Sequence, residues 1–196
     1  MVSNLLALAS SASLQALSDG RLWYPRACAI VDDWARFYGY HRDTVACVVA
    51  AVSPQVSWAR NLIVADDILA GRPPSLGVLP ANVRKAESIR NANIACHPNR
   101  MMLAWFPYGP KVQSFACNLA MIDTMVTVDG HALQAALDDP TTIRTLKPAA
   151  YLEVATAYLL AARQFGDRPC DFQAICWLAW KARYPLLKKR ELRRQW

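Results

Sequence analysis

The chain has 196 residues, 54% of them hydrophobic, and a formal net charge of +7. So apolar a composition excludes a disordered polyelectrolyte and suits one packed domain, or two small lobes sharing an interface. No segment reaches the roughly 20 uninterrupted apolar residues of a membrane span, and the apolar start, Met1 to Leu17, lacks the positive leading residues of a secretion signal; a soluble, cytoplasmic protein is expected.

The elements read as helices nearly throughout. In the first stretch Leu5, Leu6, Leu8, Leu14 and Leu17 form a packing face. Arg26 to Tyr38 follows, with Ala29, Ile30, Ala35 and Phe37 at helical spacing. Asp43 to Val52 is short, very apolar and stopped by Ser53-Pro54, because the residue before a proline is pushed out of the helical region. Val56 to Ala70 ends at Gly71 and the Pro73-Pro74 pair. Asn82 to Ala95, Asn99 to Phe106, Lys111 to Ala120 and Gly130 to Leu137 come next, the last after a short extended run from Met125 to Val128. Ala149 to Gln164 and Asp171 to Arg183 close the chain. The predicted class is all-α, with short connections between helices. Gly71 to Leu79, rich in Gly and Pro, is the one segment that reads as a lobe boundary.

The charge is concentrated. Between Lys181 and Trp196 stand seven basic residues against Glu191 alone, so this tail holds nearly all of the net charge. Within it Lys188, Lys189 and Arg190 are candidate phosphate contacts, and residues 185–196 are expected to form a basic tail. The six cysteines fall mostly in apolar helical stretches and include no Cys-x-x-Cys pair, so buried free thiols are expected, with no metal site and no cofactor. Most of the seven tryptophans are expected in the core.

The chemistry-bearing segment begins with Tyr108-Gly109-Pro110-Lys111, a tight turn that enters a helix. Such an entry presents backbone N–H groups that suit a phosphate. Then comes Val126-Thr127-Val128-Asp129-Gly130-His131, an extended run that ends with an Asp at a helix start, ordinarily a capping position. Together these resemble the hairpin and catalytic loop of the helix-hairpin-helix DNA glycosylase superfamily, in particular its endonuclease-III-like members. There a Gly-x-Gly-x-Lys hairpin precedes a Val-Asp-x-His loop with eighteen residues from Lys to Asp, the interval that separates Lys111 from Asp129. Two further segments fall in order. Ser53-Pro54-Gln55 resembles the family's Ser-x-Gln turn, and Lys85-Ala86-Glu87-Ser88-Ile89 its Lys-Ala-x-x-Ile helix. The chain departs at Pro107 and Pro110 in the hairpin, at Gly130 in place of Thr, in the missing four-cysteine iron–sulfur loop, and in a shortened Gln55-to-Lys111 interval.

The resemblance implies a single catalytic domain in two lobes, residues 1–40 with 120–196 and residues 41–119, with the hairpin near 105–112. It implies a DNA glycosylase that removes a damaged or modified base from double-stranded DNA, with Schiff-base lyase activity as a further expectation if Lys111 attacks the sugar. A base must leave the stack before an enzyme can act on it, and Gln55 is implied to fill the gap. Asp129 is implied to stabilise the positive charge that develops on the sugar, and Lys111 to attack the sugar carbon. His131 is expected to orient or pack near the loop. Tyr108 and Gly109 are expected to contact DNA, and Trp58, Trp105 and Phe106 are other aromatic candidates for stacking on a base. A monomer without protein partners is expected. Two alternatives stay open: a phage-type transferase acting on modified thymines on the same scaffold, and a non-catalytic DNA-binding protein in which Asp129 only caps and Lys111 only contacts phosphate.

Overall fold

The computed structural model describes residues 1–93, 95, 97–106, 109–122, 124–142 and 146–185. Among them are ten helices and no strand, so the fold is all-α. No helix of the described residues is long and apolar enough to cross a membrane. The chain divides into two compact units: Met1–Pro25 with Asp123–Trp196, and Arg26–Ile122.

The first unit contains α1 (Val2–Ser10), the start of α2 (Leu14–Tyr38), α8 (Gly130–Leu137), α9 (Pro148–Phe165) and α10 (Pro169–Arg183). Leu5 and Leu8 of α1 are buried, in line with the expected packing face, and meet Leu133, Tyr158, Phe172, Ile175 and Trp180 in one core. Leu14 departs from that expectation, with 86% of its surface exposed. The cause is a break at residues 11–13: Ser13 Oγ accepts from Ala16 N at 3.1 Å and starts a new helix, which turns Leu14 outward. That helix is α2, and it runs back well beyond the expected start at Arg26. It contains both Gly20 and Pro25, residues that ordinarily break a helix. Packing explains Gly20, since a Cβ there would lie 2.5 Å from Ile175 Cγ1 and 2.7 Å from the Ile175 backbone of α10.

The second unit holds the rest of α2 together with α3 (Arg42–Ala51), α4 (Trp58–Leu69), α5 (Pro80–Ala92), α6 (Pro98–Trp105) and α7 (Pro110–Leu119). Every residue of α3 from Thr44 to Ala51 is buried. A helix apolar on all sides must be wrapped on all sides, and α3 packs against α4, α5, α6 and α7. The expected helix bounds in this unit agree with the observed ones to within a few residues. Gly71–Leu79 does not separate lobes; it lies within the second unit as the connection from α4 to α5.

That connection is anchored by a buried carboxylate. Asp67 accepts from Ser75 N at 2.8 Å, from Ser75 Oγ at 2.6 Å and from Arg72 Nε at 3.2 Å. The Ser75 bonds, then Arg72, hold its pKa below the ordinary aspartate value of 3.8. A depressed carboxyl stabilises the fold above its unfolded value and loses that contribution as pH falls through its folded one. Asp67→Asn is therefore expected to melt lower than wild type at neutral pH. The gap should close on acidification below 3.8, the ordinary aspartate value, when melts are compared across pH. A gap that persists into acid would contradict this role.

The tryptophans do not fill the core as expected. Of the six described, only Trp180 is buried, and Trp23, Trp34, Trp58, Trp105 and Trp177 are half-buried. An indole is too large for an interior crowded with alanines, so it sits at the margin with one edge wet. The described cysteines, Cys28, Cys47, Cys117, Cys170 and Cys176, are all buried and free.

Candidate active site

In the second unit, α6 and α7 pack together, joined by residues 106–109. Phe106 O anchors this link, accepting from Gly109 N at 3.0 Å and from Gln113 Nε2 at 2.6 Å. Gly109 is the N-cap of α7, and a Cβ there would lie 3.2 Å from Phe106 Cβ, a tight contact. No side chain caps α7, and Pro110 brings no N–H. The N–H groups of Lys111 and Val112 thus have no acceptor within the helix, and the helix dipole adds partial positive charge there. Lys111, half-buried, forms no ion pair among the described residues. From α5, Lys85 places Nζ 4.1 Å from the centroid of the Phe106 ring.

Phe106 is buried, so its ring belongs to the core and not to a stacking platform. Trp58 is half-buried and meets Phe115 edge-on with centroids 6.2 Å apart. Trp105 is also half-buried. Gln55 lies exposed in the turn between α3 and α4, with a left-handed backbone at φ 66. For a residue other than Gly or Asn this costs on the order of 1 kcal/mol. The flanking turn is tied by Ser53 Oγ, which donates to Ala50 O at 2.8 Å.

In the first unit, residues 125–129 lead into α8 outside any helix or strand, with Val126, Thr127 and Val128 buried and the backbone of Asp129 extended. The Tyr151 hydroxyl grips this run from both sides, donating to Val126 O at 2.8 Å and accepting from Val128 N at 3.1 Å. The Tyr24 hydroxyl lies 3.3 Å from Thr127 Oγ1. Where the run ends, Asp129 caps α8, its Oδ1 accepting from Ala132 N at 2.8 Å. The second oxygen has no hydrogen bond within the described residues. Deeper down, Tyr158 donates to Ala132 O at 3.0 Å. Burial, joined by the nearby Cys176 and Asp129, pushes its hydroxyl pKa well up, so Tyr158 stays a protonated donor. His131, the second residue of α8 and half-buried, places Nδ1 3.3 Å from Gln134 Oε1.

The expected site residues thus fall in two groups. Asp129 and His131 share the start of α8 in the first unit; Gln55, Gly109 and Lys111 belong to the second. Tyr108, Lys188, Lys189 and Arg190 lie outside the described residues. Of the basic stretch, Lys181 sits over the Trp177 ring at 4.0 Å and Arg183 pairs with Asp138 at 3.3 Å. No group of three or more His, Cys, Asp or Glu placed to hold a metal occurs among the described residues. Tyr151 and Gln134 were not singled out by sequence. Gln134 stands three residues after His131, a spacing that signals contact on a helix. Tyr151 is brought in by α9 and has no local signal.

A family model matches residues 1–184. The chain belongs to DUF7178, a family of unknown function. The match takes in both groups of site residues except the basic tail. No curated protein and no solved structure matches the chain.

Proposed function

We propose that the protein is a DNA glycosylase that excises a damaged or modified base from double-stranded DNA. One observation carries the reading. The two residues in the eighteen-residue register, Lys111 and Asp129, each stand at the start of a helix, α7 and α8. A lysine beside uncapped N–H groups suits a phosphate as the ammonium ion, and an attack on an electron-poor sugar carbon as the free amine. A carboxylate with one oxygen bound and one open suits a developing positive charge. The exposed side chain of Gln55 leaves it open to a role outside the fold, while its left-handed backbone is accounted for by its place as third residue of a turn in which Val56 N donates to Ser53 O at 3.4 Å.

The reading assigns Asp129 to the sugar cation, Lys111 to nucleophilic attack and Gln55 to the gap left by the flipped base. The α7 start would take a backbone phosphate, with Lys188, Lys189 and Arg190 adding further contacts. The test is a panel of duplex oligonucleotides, each with one damaged or modified base, incubated with and without borohydride. The expected result is release of a free base and a trapped covalent adduct that disappears in Lys111→Ala. Release without trapping removes Lys111 from the chemistry. Bases that stay on the DNA with altered mass, or DNA that is bound and unchanged, overturn the glycosylase assignment.

A further inference from the structure

Within the first unit, the hydrogen bonds around Gln134 determine where a proton sits. Gln134 is buried, and its Nε2 donates to Pro140 O at 3.0 Å and to Thr142 O at 3.1 Å. Carbonyl oxygens only accept, so the nitrogen end of the amide must face them. At the other end the Trp180 indole Nε1, which only donates, lies 3.3 Å from Oε1. The amide orientation is set from both ends, and a flip would turn every one of these contacts repulsive. His131 Nδ1 approaches the same Oε1 at 3.3 Å. An acceptor oxygen there requires the hydrogen to be on Nδ1. Neutral His131 therefore carries its proton on Nδ1 and a bare lone pair on Nε2. That nitrogen has no hydrogen-bond partner among the described residues. It cannot donate to a phosphate oxygen; it can take a proton from an O–H.

We infer that His131 Nε2 is the proton acceptor for the water that attacks the sugar, with Gln134 as its positioning residue. This rests on the glycosylase reading and makes the excision step hydrolytic; the attack assigned to Lys111 then falls on C1′ of the abasic sugar, after the base has left. The water O–H bond breaks and the proton passes to Nε2. The oxygen bonds to the sugar C1′ as the C1′–N bond breaks, and its electron pair leaves on the base, which takes a proton from solvent. The imidazolium then returns its proton to solvent. Asp129, two residues earlier, has one oxygen engaged by Ala132 N and so serves the sugar charge, while the imidazole moves the proton. The two tasks are divided between two groups on one helix start.

The test has two arms on the full chain. With ¹⁵N-labelled histidine, the three histidines give separable ring signals, and loss of one in His131→Ala assigns it. The expected state in wild type is the Nδ1–H tautomer, shifting toward Nε2–H in Gln134→Met. In single-turnover base release from the same oligonucleotide panel, His131→Ala is expected to slow the reaction about 100-fold with DNA binding unchanged. Gln134→Met should slow it less. His131→Gln keeps a donor toward Gln134 without a basic nitrogen, and covers the case where the alanine variant does not fold. An Nε2–H tautomer in wild type overturns the inference whatever the activity. Wild-type release by a folded His131 variant overturns it while the glycosylase reading stands. No release by wild type on any oligonucleotide sinks both, and an Nδ1–H signal would then record only the grip of Gln134.

Discussion

Asp129→Asn should slow base release by about 100- to 1000-fold and leave the fold intact. The side chain has two jobs that this change separates. As a cap, Asp129 offers Oδ1 to Ala132 N at 2.8 Å, and asparagine offers a carbonyl oxygen in the same place. Asn and Asp are equivalent N-caps, whereas alanine costs about 1 kcal/mol. As a catalyst, Asp129 would contribute a negative charge, which asparagine lacks. Loss of a well-placed electrostatic group slows an enzyme by about 100- to 1000-fold. The expected pattern is therefore a rate loss of that size with an unchanged melting temperature and unchanged DNA binding. Near-wild-type release from Asp129→Asn would leave Asp129 as a cap alone and give the stabilisation of the sugar charge to another group. A protein that melts lower would show that the charge, and not only the hydrogen bond, is needed to start α8.

Gly20→Ala should be the most destabilising small substitution in the first unit. The added Cβ would lie 2.5 Å from Ile175 Cγ1 and 2.7 Å from both Ile175 N and Ile175 Cα. A side-chain tip could rotate away, but the backbone of α10 cannot. The two helices must separate, which opens the packing around the buried Ile175. Alanine gains about 1 kcal/mol of helix propensity over glycine, and overpacking against backbone costs about 3 kcal/mol. The net loss is about 2 kcal/mol, or roughly 4–8 °C for a chain of this size. Gly130→Ala is the control, since its Cβ would meet nothing within 4 Å and its backbone is not left-handed. It should melt within about 2 °C of wild type. Equal melting of Gly20→Ala and Gly130→Ala would mean that α2 and α10 are not in the close approach described.

The helices of the second unit were legible because their signals are local. Ser53-Pro54, Gly71 and Pro73-Pro74 punctuate the chain, and the apolar run of α3 announces a helix buried on all sides. The start of α2 was not legible for the same reason. Gly20 and Pro25 are local signals against a helix, and only the approach of Ile175 shows why a glycine is needed there. The placement of Leu14 depended on one capping hydrogen bond at Ser13, which moves a side chain from one face to the other. The tryptophans were misplaced because size and burial compete, and composition alone does not say which wins.

The candidate site divides along the same line. The sequence by itself determined an all-α chain, the capping position of Asp129, the helix entry at Gly109 and the eighteen-residue interval from Lys111 to Asp129, because residue type and spacing act over a few residues. Tertiary structure alone decided what holds those residues. Tyr151 reaches residues 126 and 128 from a helix more than twenty residues further along, and Trp180 meets Gln134 across a still longer separation. Such hydrogen bonds have no period and no local composition. They exist because packing of α8, α9 and α10 brings donors and acceptors together in an interior where an unpaired polar group is costly.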